Sequence, residues 1–139
     1  MRAPRRETGQ TTVMTLGIAL VCFAVCGLAV DGTKAFLMRR TLQNAADAAS
    51  LAAASDLDRD AYYSSGGRRV LLDAVAARRT AERYLSMRGI SGRTEVRATR
   101  RGVTVAVRAA TTTTFLALVG IDEVPVAAEA RAAPFAGSP

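Results

Sequence analysis

Few residues of this chain could carry chemistry. Its 139 residues include no histidine, which removes the commonest general base and the commonest metal ligand. The two cysteines, Cys22 and Cys26, both lie inside an apolar run, so the sequence excludes a zinc site and a disulfide scaffold. On a helix these cysteines share one face, where a packing surface is the simpler interpretation; lipidation or a thiol contact is the alternative.

Three acidic residues, Asp56, Asp58 and Asp60, alternate in a polar segment, where their carboxylates could hold a cation. The glycine and the bidentate glutamate of an EF-hand loop do not follow them, so solvated helix ends are the simpler interpretation. The chain also has no glycine-rich phosphate loop. We therefore expect no catalytic residue, no metal, no cofactor and no small-molecule substrate, which indicates that the protein is not an enzyme.

An uncharged apolar run, residues 13–30, dominates the N-terminal part of the chain. A bilayer core requires roughly 20 mostly apolar residues as a helix, and Thr11 and Thr12 extend the run to that length. It predicts a transmembrane helix. A cleaved signal peptide ending near Asp31 is the alternative, but the helical pattern continues past Asp31, which favours a permanent span.

The basic residues on the two sides of this run are nearly balanced. Three precede it and three follow it: Arg2, Arg5 and Arg6, then Lys34, Arg39 and Arg40. Because the short N-terminal tail is the easier part to retain, we expect a cytoplasmic N-terminus and an extracytoplasmic C-terminal part. Arg39 and Arg40 are expected to contact lipid headgroups.

Beyond Asp31 the apolar helix is expected to continue as an amphipathic one to about Leu57. Small and apolar residues recur at helical spacing on one stripe: Met38, Leu42, Ala45, Ala49 and Ala52. At 1.5 Å per residue, residues 13–57 would form a rod of about 65 Å, half of it outside the bilayer. Asp31 is interpreted as a marker of membrane exit, with a salt bridge to a partner as the alternative.

The remaining residues predict a small α+β domain. Residues 58–67 are interpreted as a loop and residues 68–88 as a helix, with Gly89 ending it. Val103, Val105 and Val107 alternate with polar or small residues, as in a half-buried strand, and residues 124–132 alternate again, with Pro125 indicating an edge strand. About three antiparallel strands are expected, resembling the lollipop shape of pilins. The predicted divisions are residues 1–12 (cytoplasmic tail), 13–30 (span), 31–57 (helix continuation), 58–133 (α+β domain) and 134–139 (flexible tail).

Residues 27–55, GLAVDGTKAFLMRRTLQNAADAASLAAAS, resemble the N-terminal signature of TadE/TadG-like proteins of the tight-adherence (Flp) pilus system. The matching positions, also the expected interface positions, are Asp31, Arg39, Arg40, Leu42, Gln43, Asn44, Ala45 and Asp47. Asp47 is most simply a solvated residue or one hydrogen-bonded to Gln43. The resemblance implies a membrane-anchored, non-enzymatic component of pilus assembly or of a related secretion apparatus, with other subunits of that apparatus as partners.

One departure concerns processing. Prepilin-like members are cleaved after a glycine and carry a glutamate five residues later; here Gly9 and Gln10 could flank a cut, but Met14 stands at the glutamate position. The missing acid argues against a processed major pilin. A minor pilin or pseudopilin cut after Gly9 therefore remains as an alternative to the anchored assembly protein.

The net charge of +7 suggests an acidic partner. The arginines are scattered and no aromatic platform accompanies them, so we expect no nucleic-acid binding. Outside a membrane, an acidic envelope polymer is the better candidate. A membrane-anchored module that binds such a polymer is the third functional hypothesis.

Overall fold

The computed structural model describes residues 8–135, which form one very long helix, two shorter helices and a three-stranded sheet. The tail arginines at positions 2, 5 and 6 and most of the predicted flexible tail, residues 136–139, lie outside the described residues. In chain order the elements are α1 (Thr8–Ala53), α2 (Arg59–Ser64), α3 (Ala74–Met87), β1 (Arg93–Thr99), β2 (Gly102–Thr112), a 3-10 helix (Leu116–Val119) and β3 (Glu123–Ala132).

Helix α1 is apolar and exposed in its N-terminal half and packed in its C-terminal half. Among residues 8–135 it is the one helix long and apolar enough to cross a membrane. Most of its large side chains there are exposed, including Val13, Leu16, Leu20, Val25 and Leu28. The architecture is consistent with a single-pass membrane-anchored α+β protein, as the sequence predicted.

The end of α1 differs from the sequence prediction: the helix stops at Ala53, not at Leu57. The reason lies in residues 56–58, whose backbone pairs with another segment. Asp58 N–H donates to Leu71 C=O at 2.8 Å, and Asp73 N–H donates to Asp56 C=O at 2.9 Å. Backbone groups that bind these partners cannot also form the i to i−4 hydrogen bonds of the helix.

The predicted helix over residues 68–88 is also shorter, since α3 begins at Ala74. Leu72 is fully buried and bridges Leu57 in an extended conformation, while the Asp73 carboxylate caps α3 by accepting from Val75 and Ala76 N–H groups. The expected loop over residues 58–67 contains the short α2, whose N-terminus Asp58 caps in the same way. Gly89 follows α3 with φ +60°, as the prediction of a helix end required.

The sheet has the order β1-β2-β3 and is antiparallel throughout. Central strand β2 places Val103, Val105 and Val107 on its buried face, as their alternation predicted. Val105 lies opposite Val96 of β1 and Ala130 of β3. Pro125 lies in β3, an edge strand, where its missing N–H costs no ladder bond to a further strand.

One face of this sheet packs against two helices. Helix α1 covers β2 and β3, and α3 covers β1. Alanines at the helix surface are fully or almost fully buried in this layer: Ala45, Ala46, Ala49 and Ala53 of α1, and Ala77 and Ala81 of α3. Their small side chains allow the helix axes to approach the valines of β2 closely, so the alanine stripe of the sequence is a packing surface.

Candidate functional site

Asp31 is buried halfway along α1, with 2% of its surface exposed. Its carboxylate accepts three backbone N–H groups from the β2–β3 loop (residues 113–122), each at 2.8 Å. Thr114 N–H donates to Oδ1, and Phe115 and Leu116 N–H groups donate to Oδ2. We call this arrangement the Asp31 clamp. It joins the first third of the chain to a loop more than eighty residues further on.

The loop needs this acceptor because it contains the 3-10 helix over residues 116–119. The first N–H groups of a helix have no partner within the helix, and a side-chain oxygen usually satisfies them. Phe115, at the N-cap position, provides no such side-chain bond. The carboxylate of α1 supplies it from outside the loop, so the conformation of residues 114–119 depends on α1.

Lys34 completes the charge balance of the clamp. Its Nζ lies 4.0 Å from Asp31 Oδ1 and donates a hydrogen bond to Thr114 Oγ1. Burial alone would raise the pKa of the Asp31 carboxyl, but the three N–H donors, with Lys34 contributing, hold the pKa below its ordinary value of 3.8. Asp31 is therefore a satisfied, ionised carboxylate.

A glycine and two aromatic rings extend the clamp toward the apolar half of α1. The rings of Phe23 and Phe115 meet edge to face, with centroids 5.4 Å apart. A Cβ at Gly27 would lie 2.6 Å from Phe115 Cβ and Cγ, closer than real contacts allow. Gly27 is thus the residue that lets Phe115 lie directly on the helix.

Three of the eight positions that resemble the TadE/TadG-like signature hold α1 on the sheet. Leu42 and Ala45 are buried. The Gln43 amide donates to Asp47 Oδ1 at 3.0 Å and to the Glu129 C=O of β3 at 3.1 Å, so the local bond expected for Asp47 is present. Asn44 is exposed and remains an interface candidate.

Arg39 and Arg40 are both exposed on α1, and Arg39 lines a groove beside Ala127 of β3. Arg39 lies about 13 Å beyond residue 30 along the helix axis, whereas a headgroup layer is about 5–8 Å thick. Lys34 lies within that depth for an upright helix. Because arginine side chains are long and point back toward the N-terminus of a helix, headgroup contact by the arginine pair remains a prediction.

The other candidate residues are not brought into a common site. Cys22 and Cys26 are unpaired and exposed on the apolar half of α1, and Gly9 and Gln10 lie exposed in its first turn. Within residues 8–135 no group of three His, Cys, Asp or Glu residues could hold a metal ion.

Sequence reasoning missed the clamp. The sequence indicated Asp31 only as a marker of membrane exit, with a salt bridge to a partner as the alternative. The Gly27–Asp31 pair, four residues apart on one face, was the available signal for a docked element. The three N–H donors of the loop could not be predicted, because every residue type except proline has a backbone N–H group. The clamp can position a loop against a helix; it offers no nucleophile or acid–base pair.

Residues 9–56 match the family model described as "Putative Flp pilus-assembly TadE/G-like". The match covers about a third of the chain and coincides with α1 and its C-terminal turn, so it includes Gly27, Asp31 and the residues that pack on the sheet. No curated protein and no solved structure shows significant similarity to the chain.

Proposed function

We propose, on the premise of this TadE/G-like match, that the chain is a non-enzymatic, membrane-anchored assembly component of a Tad (Flp) pilus or of a related secretion apparatus. The family suggests a pilus-assembly component. The observation that carries the proposal is α1 itself: one helix unites an exposed apolar half of membrane-spanning length with a half that carries a folded domain.

The proposed topology places residues 1–12 in the cytoplasm and residues 13–30 in the membrane. The helix then continues outside to Ala53, and the α+β domain follows to about residue 133. This orientation is part of the proposal and follows the expectation that basic residues beside a span, here Arg2, Arg5 and Arg6, stay in the cytoplasm. Partners are the lipid bilayer and other subunits of the apparatus.

The surface proposed to contact those subunits is the outer face of α1, defined by Phe36, Leu37 and Leu51. These side chains are 64%, 54% and 67% exposed, and their positions fall within about one quadrant of the helix, opposite the stripe that packs on the sheet. Large apolar side chains on an extended, partly polar helix face are suited to binding another helix.

Changing this face is expected to stop assembly without unfolding the protein. In the native host, Leu51→Arg should reduce surface pili and pilin secretion about tenfold, the effect of roughly 1.4 kcal/mol lost from one contact. Pili are counted by electron microscopy, and the amount of the variant in the membrane is measured by immunoblot. A photo-cross-linker placed at Leu51 should capture a subunit of the apparatus.

Met87→Arg is the matched control, because Met87 is 82% exposed on α3, away from α1's outer face. It should leave pili unchanged, and a cross-linker there should capture nothing specific. Normal piliation with Leu51→Arg at normal protein level would remove the outer face from the proposal. Normal piliation after deletion of the whole gene would refute the assembly function.

The second candidate, a minor pilin cleaved after Gly9, rests on the exposed position of that glycine at the start of α1. We expect the protein purified from host membranes to retain the residues before Gln10, as a permanent anchor does. Intact mass and N-terminal sequencing decide this. A chain that begins at Gln10 would favour the filament subunit, and one that begins near residue 31 would indicate a secreted protein. If pili are unaffected, binding of an acidic envelope polymer by the basic domain is the remaining hypothesis.

A further inference from the structure

The β2–β3 loop carries apolar side chains that the rest of the domain leaves uncovered. Leu118 is 74% exposed, Val119 is 73% exposed and Ile121 is 47% exposed. No charged residue occurs between Thr113 and Ile121. Adjacent exposed side chains of this kind on a small domain mark a contact surface.

The Asp31 clamp fixes where this surface lies. Phe115 packs on Phe23 and Gly27, which belong to the uncharged run, and the loop backbone binds Asp31, the first charge after it. Phe23 and Asp31 are about 12 Å apart along the helix axis. The loop therefore lies beside the last two turns of the apolar run, at the depth where the predicted span leaves the membrane.

We propose that residues 115–121 form a second, shallow membrane contact, in which Leu118, Val119 and Ile121 enter the boundary between headgroups and acyl chains beside α1. The inference rests on the proposed membrane anchoring by α1. Lipid is the occupant because the loop's exposed side chains continue the apolar surface of the span itself. Apolar side chains at this depth are stabilised by leaving water.

The charges around the loop agree with this depth. Lys34 lies within the headgroup layer of an upright helix and is joined to Thr114, while Asp122 and Glu123 follow the apolar stretch and lead back into β3. The loop covers the carboxylate of Asp31, and its N–H groups compensate the negative charge. No uncompensated charge of Asp31 is therefore placed at the bilayer boundary. Two contacts with one membrane would fix how α1 and the packed domain are rotated about the axis of α1. They would therefore fix the direction in which the outer face of α1 points.

The absence of tryptophan from the sequence makes a direct test simple. Single-tryptophan variants of the full chain are reconstituted in phosphatidylcholine vesicles that contain lipids brominated near the headgroup or near the chain end. Val21→Trp reports the span, Leu118→Trp the loop, and Met87→Trp the exposed C-terminal end of α3. All three replaced side chains are exposed, at 63%, 74% and 82%.

We expect lipids brominated near the chain end to quench the fluorescence of Val21→Trp. Lipids brominated near the headgroup, and only those, should quench most of the fluorescence of Leu118→Trp, and neither lipid should quench Met87→Trp. Val119→Trp, as a second loop reporter, should behave like Leu118→Trp. Quenching at Val21 without quenching at either loop position would overturn the loop proposal and leave the anchoring intact. A blue-shifted but unquenched loop tryptophan would indicate burial against protein, in the same chain or in a second copy, and would also overturn it. Absence of quenching at Val21 would refute the anchoring, and the loop proposal with it.

Discussion

Asp31→Asn is expected to release the β2–β3 loop from α1 and to lower the melting temperature of the detergent-solubilised chain. The three N–H groups that the carboxylate accepts have no other partner nearby in the clamp. An asparagine has one acceptor oxygen, so its NH₂ group must face either the Thr114 N–H or the pair from Phe115 and Leu116. A donor facing a donor leaves buried groups unsatisfied. We expect a decrease of at least about 4–8 °C and new proteolysis within residues 113–122.

The pH dependence of the free energy of unfolding is a second, independent test of the Asp31 clamp. The pKa of Asp31 is below 3.8 in the folded chain and near 3.8 when unfolded, so the unfolded state binds the proton more readily. The stabilisation is complete above about pH 4 and is lost as the pH falls below 3.8 through the lowered pKa. The difference in stability between the wild type and Asp31→Asn should shrink over that range.

Asp47→Asn is the matched control for both measurements, since Asp47 is exposed on α1 and within residues 8–135 its carboxylate accepts a hydrogen bond from the Gln43 amide. It should melt within a degree or two of the wild type, as surface substitutions do. If Asp31→Asn melted like Asp47→Asn, and the loop stayed protected from protease, the clamp would contribute nothing to the fold.

Leu42→Ala is expected to cause a large loss of stability by truncating a side chain in the core. Leu42 is 1% exposed and packs in the layer between α1 and the sheet. Removing its three outer carbons leaves a cavity that neighbouring alanines are too short to fill. Such truncations cost about 2–5 kcal/mol, a large share of the roughly 5–15 kcal/mol that stabilises a domain.

Leu51→Ala makes the identical change on the same helix at a side chain that is 67% exposed. Its free energy of unfolding should fall by no more than about 0.5 kcal/mol. Both are measured by denaturant titration in the same detergent. Equal effects at the two leucines would contradict the packing of α1 on the sheet, whatever the fate of the loop.

Elements with a strong local period were predictable from sequence. The alternation of Val103, Val105 and Val107 identified the central strand, and Pro125 identified an edge. The start of α3 was predicted six residues too early, because apolar residues recur at helical spacing before Ala74. In the structure, Leu72 and Asp73 instead pair through their backbones with Leu57 and Asp56. Tertiary contacts overrode a weak local preference at that point.

The candidate site was less predictable than the fold. Asp31 sits at the end of an apolar run, and that position alone suggested a membrane boundary. Its three partners are 83 to 85 residues away. They are backbone N–H groups, so no particular side chain in the sequence indicates them. By contrast, the Gln43–Asp47 bond was predictable because four-residue spacing on a helix dictates it.

The same separation sets an order of events during synthesis. A ribosome that adds roughly 5–20 residues per second requires about 4 to 17 s to proceed from Asp31 to Thr114. In the proposed topology, α1 enters the membrane during that interval, before the future partners of Asp31 have been made. The carboxylate closes onto the loop only after β2 has emerged, so docking is a late step. A chain stalled before residue 114 would therefore present Asp31 as an uncovered carboxylate at the bilayer surface, whereas a finished chain covers it.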